Sequence, residues 1–184
     1  MIKDGFPLDF DKDFMKYRGV QLKGKTAGII GLGHIGSAIA EACNGIGMNV
    51  IYWSRSSTNE AYTRVALNEL LANADVIFPT TLKNAETLSL ITDEDLRTIK
   101  QSAMLVDIAH GIFNHELVLD MVASGRLYGY GFEGGPGEFG KFEGNVWSAP
   151  SYAWATAESM YNSVVLWIDT MISASRAEFP NRVN

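Results

Sequence analysis

From Lys25 onward, short apolar runs alternate with longer stretches in which apolar positions recur every three or four residues. A run of five such as 26–30 is too short for a helix and long enough for a buried strand. The residues that follow, Ser37 to Gly47, carry helical spacing until Gly45 and Gly47 stop it. The same logic predicts a second strand at 49–53, a short helix at 67–74 and a third strand at 75–79. A helix at 92–99 opens with Thr92 as N-cap, and Asp93, Glu94 and Asp95 suit its positive end. A fourth strand is expected at 103–108, a helix at 114–125 closed by Gly125, a fifth strand at 126–132 and a short one at 145–147. The final helix is expected from about Ala153 to Ser175. Its residues Ala157, Met160, Val164, Trp167, Ile168, Met171 and Ile172 share one stripe, so that stripe is expected to be buried.

Strands alternating with helices imply right-handed crossovers and a mostly parallel, helix-covered sheet. The expected fold is therefore α/β, a doubly wound parallel sheet of the Rossmann kind, forming a single domain over residues 25–184. Residues 1–24 form a lead-in. Phe6, Phe10 and Phe14 recur in it at four-residue spacing, which suits either a short amphipathic helix or a mobile segment.

Composition narrows the partners. The net charge of -6 argues against nucleic acid, whose phosphates need clustered Lys and Arg. Cys43 is the only cysteine, so no intrachain disulfide can form, and with three histidines no metal site is expected. The acidic start is no signal peptide and no run of about 20 apolar residues occurs, so no membrane partner and a cytoplasmic location are expected.

Gly31, Gly33 and Gly36 spell G-x-G-x-x-G between a strand and a helix. Alone the hexamer says little; inside a βαβ unit it reads as a pyrophosphate-binding turn. Gly31 permits the tight turn, Gly33 lets the backbone approach the anion, and Gly36 lets helix and strand pack closely. The amides of His34, Ile35 and Gly36 then face the phosphates at a helix start. At the end of the second strand, Ser54 stands where NAD-binding domains place a ribose-gripping acid. Ser54 does not repel a 2′-phosphate, and Arg55 can pair with one. Cofactor tolerance is therefore expected to include NADP alongside NAD.

The stretch GKTAGIIGLGHIGSAIAEACNGIGMNVIYWSRS resembles the nucleotide domain of the D-isomer-specific 2-hydroxyacid dehydrogenases. The resemblance continues through LNELLANADVI, NAETLSLITDEDLRTIK, SAMLVDIAHG and VASGRLYGYG to NVWSAPSYAWATAES, roughly residues 16–175. It implies hydride transfer between nicotinamide and C2 of a 2-hydroxy or 2-oxo acid. It also implies an arginine on the substrate carboxylate, a histidine moving the hydroxyl proton, and a glutamate supporting that histidine. The arginine position holds His110 and the histidine position holds Ser151; Glu138 is the candidate glutamate. His110 lacks arginine's permanently charged fork, and Ser151 cannot exchange a proton near neutral pH. By the same motif match Thr81 lies near the ribose, Ile108 and Ala109 line the nicotinamide end, and Glu133 holds the carboxamide. The resemblance further implies a homodimer. With about 24 residues before Lys25, a substrate pocket is expected to be absent or supplied by a separate substrate-domain chain.

His110 is read either as an improvised acid–base paired with Glu138 or as a hydrogen-bonded histidine left after loss of catalysis. His34 fills the glycine turn and His115 opens a helix, so neither is expected to be catalytic. Cys43 is read as a small buried apolar residue. Trp154, Trp167 and the Met residues of the last helix are read as core or subunit packing. The sequence thus implies an oxidoreductase-like dinucleotide binder, weak or inactive alone, or else a non-catalytic NAD(P)(H)-sensing dimeric scaffold.

Overall fold

A computed structural model describes residues 19–109, 111–134, 140–152, 154–176 and 178. The expectations for Phe6, Phe10 and Phe14, for His110 and for Glu138 lie outside the described residues. The chain divides into two compact units, residues 1–131 with 142–146, and residues 132–141 with 147–184.

The first unit is built around strands β1 (Thr26–Ile30), β2 (Asn49–Trp53), β3 (Thr63–Arg64), β4 (Val76–Pro79) and β5 (Met104–Asp107). Between and after them run helices α1 (His34–Gly45), α2 (Leu67–Asn73), α3 (Asp93–Thr98) and α4 (His115–Ala123). Two further strands, β6 (Gly129–Gly134) and β7 (Val146–Pro150), begin in the first unit and end in the second. Strand order is β3-β2-β1-β4-β5-β6-β7. The pairings of β1 with β2 and β4, of β2 with β3 and of β4 with β5 are parallel. Because the order reverses at β1, the crevice of a doubly wound sheet opens beyond the carboxyl end of that strand.

Burial explains why these runs form strands. Ala27, Ile29 and Ile30 are fully enclosed, and Ile29, Leu32, Ala40, Cys43, Val50, Tyr52 and Val76 form one core cluster. Strands covered on both faces need continuous apolar sequence, which is what 26–30 supplies. Cys43 is buried as expected, and burial raises its thiol pKa.

Helix signals held where local chemistry decides. Thr92 caps α3 through a capping box with Asp95. Helix α4 starts at His115 rather than 114, because Asn114 sits outside it as the N-cap, accepting from Leu117 N–H. The fifth long strand starts at Gly129 rather than 126, because the N–H groups of Arg126 and Leu127 both bond to Met121 O in the turn closing α4. Strand β3 has two residues, too few to carry a period of its own.

The second unit contains α5 (Ala157–Ser175), which starts four residues later than expected because Thr156 forms a capping box with Ser159. Here the burial expectation is overturned. None of the 19 residues of α5 is buried, and Met160, Val164, Trp167, Ile168, Met171 and Ile172 are all exposed. Trp154 is exposed too, so neither it nor Trp167 belongs to a core within this chain. The helical period is real; the described residues supply no surface to cover it. No helix among the described residues is long and apolar enough to cross a membrane.

The amino ends of β1 and β4 are tied by Asp75, which accepts from Thr26 N–H at 2.8 Å and from Lys100 Nζ at 3.2 Å. Partial burial opposes its charge, but the Thr26 amide and the Lys100 ammonium outweigh that and hold its pKa below the ordinary carboxylate value. A depressed carboxyl contributes stability above the unfolded pKa of about 3.9 and loses it as pH falls through the folded value. Urea unfolding midpoints should therefore drop as pH is lowered below about 4, and Asp75→Asn should flatten that part of the profile. An unchanged acid limb in the variant would remove Asp75 from the account.

Candidate functional site

Strand β1 ends in the glycine turn, and the turn is shaped by contact on two sides. Gly31 has φ +100°, in the region that favours glycine, and a Cβ on it would lie 2.8 Å from Thr81 Cγ2 and 3.0 Å from Thr81 N. A Cβ on Gly36 would lie 2.0 Å from Gly31 O, closer than any packing allows. Gly33 differs, because nothing lies within 4 Å of where its Cβ would be. The outer two glycines are closed by protein, and the middle one faces open space.

Helix α1 begins over that space. Gly33 is its N-cap, no side chain caps it, and its first turn holds no acidic residue. The first N–H groups of a helix have no intrahelical partner, so His34, Ile35 and Gly36 present amides and the positive helix end to an anion. His34 and Ile35 are exposed, consistent with side chains directed away from the packed face.

The segment after β4 closes the other side. Thr80 N–H bonds to Ile30 O at 2.8 Å, and Thr80 Oγ1 donates to Gly31 O at 2.6 Å. Thr81 Oγ1 is buried and has no hydrogen-bond partner among the described residues. An orphaned buried hydroxyl costs about 1–3 kcal/mol, so its position beside Gly31 fits a ligand hydroxyl or phosphate oxygen. Sequence reading found Thr81 but missed Thr80, whose partner is a backbone oxygen that no motif reveals.

Beyond β2, Ser54 is buried and turned inward, its Oγ accepting from Ser57 N–H at 3.1 Å. Arg64, which sequence reading missed, donates to Ser54 O at 2.6 Å. Arg55 is paired with Glu86 from the loop after β4. Glu86 was also missed, since 31 residues separate it from its partner. At the end of β5, Ile108 is exposed and Ala109 N–H bonds to Asp107 Oδ1 at 3.1 Å. Asp107 also accepts from Tyr130 Oη at 3.4 Å, and His115 Nδ1 lies 2.9 Å from that hydroxyl. Burial and the Asp107 charge push the Tyr130 pKa upward, so the phenol stays protonated. His115 therefore has a structural partner at the base of the 108–109 turn.

In the second unit, Ser151 Oγ lies 3.5 Å from Glu133 Oε2 and donates to it. The structure brings together Gly31, Gly33, His34, Ile35, Gly36 and Thr81 in the first unit, and Ser151 with Glu133 in the second. A concavity of about 240 Å³ lined by Leu22, Lys25, Asp75, Ser102 and Met104 sits at the amino ends of the strands, the end opposite the glycine turn.

Two outcomes are expected from this geometry. Thr81→Val should leave thermal stability unchanged or raise it, because the orphaned hydroxyl is removed, while weakening NADH binding about fivefold in a fluorescence titration. Glu86→Gln should free Arg55 and improve NADPH binding relative to NADH by several-fold. Equal ratios before and after that change would show that Arg55 is not near the 2′-position.

The comparisons with known proteins agree with this geometry. The model of the D-isomer specific 2-hydroxyacid dehydrogenase NAD binding domain matches residues 9–153. Glyoxylate reductase of Thermococcus litoralis is 31% identical over 92% of this chain and 55% of that protein, and that of Pyrococcus furiosus 31% over 89% and 52%. The chain thus spans about half the length of these relatives. Among solved structures, a D-isomer specific 2-hydroxyacid dehydrogenase of Lactobacillus delbrueckii ssp. bulgaricus in its NAD-complexed form superposes with a TM-score of 0.80 at 24% identity, over 94% of this chain and 61% of that one. An acyclic imino acid reductase in complex with NADPH and D-Arg superposes with a TM-score of 0.83 at 23% identity, over 95% and 61%. At those identities the superpositions speak for the fold. The glycine cradle, the strand order and the match over most of the chain place this protein in the D-isomer-specific 2-hydroxyacid dehydrogenase family, in its NAD-binding domain.

Proposed function

We propose that this chain holds NAD or NADP through the glycine turn and belongs to a system that moves hydride between nicotinamide and a small 2-hydroxy or 2-oxo acid. The observation that carries the proposal is the cradle itself: Gly31 and Gly36 closed by protein atoms, with open space at Gly33 under an uncapped helix start. Bound there, the dinucleotide supplies the hydride chemistry. The amides of His34, Ile35 and Gly36 hold its pyrophosphate, and Thr81 Oγ1 gains the partner it lacks. Ile108 and Ala109 line the nicotinamide end, in a turn pinned by Asp107. The roles of Glu133, Glu138 and Ser151 rest on motif position.

Activity of the chain alone is proposed to be weak or absent. A 2-oxo acid needs its carboxylate oriented and its oxygen protonated, and the motif positions for those tasks hold His110 and Ser151. Loss of general acid catalysis alone costs about 10²- to 10⁴-fold. The keeping of the cradle beside these replacements supports a second proposal, a non-catalytic dinucleotide-responsive scaffold. A homodimer, or a separate substrate-domain chain, is proposed as the partner; the exposed apolar residues of α5 support an interface.

The deciding experiment titrates the chain with NADH and NADPH by calorimetry and then follows reduced-cofactor loss with glyoxylate, pyruvate, hydroxypyruvate and phenylpyruvate. Binding of a dinucleotide is expected, with little turnover. Gly33→Asp should abolish binding by placing a carboxylate in the anion space. Equal affinity of the variant would overturn the assignment of the turn, and robust turnover would overturn the expectation of inactivity.

A further inference from the structure

Three cations stand at the carboxyl end of the sheet among the described residues of the first unit: Arg55, Arg64 and Lys83. Arg55 is held by Glu86, and Arg64 by Ser54 O. Lys83 is exposed and its side chain makes no hydrogen bond or ion pair with any described residue, but its end lies near a neighbouring loop. A Cβ on Gly111 would lie 2.8 Å from Lys83 Nζ and 3.1 Å from its Cε, so the ammonium rests against the backbone of Gly111. Gly111 has φ +81° and no side chain, so both its conformation and its bareness leave that place to Lys83.

The platform under Lys83 is built. Thr87 is fully buried, and its Oγ1 donates to Leu82 O at 2.6 Å while accepting from Asn84 N–H at 2.8 Å, fixing the backbone on either side of Lys83. The same loop is tied to the segment after Gly111 by Ile91 N–H bonding to Ile112 O at 3.0 Å. The loops after β4 and β5 are thus held together, with Thr81 at the glycine turn and Lys83 at the end of β5.

We infer that Lys83 is the cation that receives the carboxylate of the small organic acid in this site. The inference rests on the proposed function, which puts nicotinamide beside Ile108 and Ala109, three and two residues from Gly111. A chain of net charge -6 repels a small anion unless a local cation offsets that field. The ammonium already stands against Gly111, beside the turn proposed to line the nicotinamide, so a carboxylate bound there meets it without rearrangement of either loop. A lysine offers a point charge rather than a planar fork, so it fixes a carboxylate's position more than its orientation.

The test uses oxamate, an unreactive analogue of a 2-oxo acid, titrated into the NADH-loaded chain and read by nicotinamide fluorescence. Wild type should bind it; Lys83→Met should weaken oxamate at least about tenfold while leaving NADH affinity and melting temperature unchanged, and Lys83→Arg should recover most of the loss. Oxamate binding that ignores Lys83→Met, or is absent from the wild-type complex, overturns the inference. Loss of NADH affinity in Lys83→Met also overturns it, since Lys83 would then be serving the cofactor's own phosphates. Failure of wild type to bind NADH at all would instead sink the reading of the glycine turn on which the inference stands.

Discussion

The functional end of this molecule depends on how closely α1 can approach the end of β1. With a hypothetical Cβ on Gly36 only 2.0 Å from Gly31 O, any side chain there would force helix and strand apart. Moving the helix start would carry the His34–Gly36 amides away from the space over Gly33. It would also disturb Thr80, which closes the turn from the other side through Ile30 O and Gly31 O, and Thr81 packed beside Gly31. One absent methyl group thus sets the position of the helix start over Gly33, the proposed anion site, because packed interiors transmit displacement rather than absorb it.

That approach also explains the division of labour among the loops. In the proposed function the turn after β1 supplies backbone amides, and backbone amides bind phosphate without identifying what is attached to it. Discrimination has to come from side chains on neighbouring loops, and these are tied to each other across long sequence separations. Arg55 from the loop after β2 meets Glu86 from the loop after β4, and the loop of Glu86 meets the segment after β5 through Ile91 and Ile112. A dinucleotide lying across the carboxyl ends of the strands would touch each in turn. The Asp107–Tyr130–His115 set beneath the 108–109 turn gives that last loop a buried polar anchor, costly to break because each group would lose its partner in a low-dielectric setting.

Much of the fold could be read directly from residues. The strand runs 26–30 and 49–53 and the cap Thr92 rest on local chemistry, and local chemistry survives in the folded chain. Gly31, Gly33 and Gly36 were legible because a turn that must be tight, open and closely packed leaves only glycine at those places. Where the strand reading failed, the turn closing the preceding helix won. Residues 126 and 127 have strand-like sequence, but their amides are taken by Met121 O in the turn that closes α4.

The sequence by itself determined the order of elements, the glycine turn and the family, since each depends on neighbours in the chain or on a fixed spacing. Tertiary structure alone decided which side chains meet. That Arg55 is already paired, that Thr81 Oγ1 lacks a partner beside Gly31 and that Lys83 lies against Gly111 are facts about residues far apart in sequence. The apolar stripe of α5 shows the same limit from the other side. Period 3.6 says that a face is apolar, but burial requires a second surface, and only the folded chain could show that the described residues do not provide one.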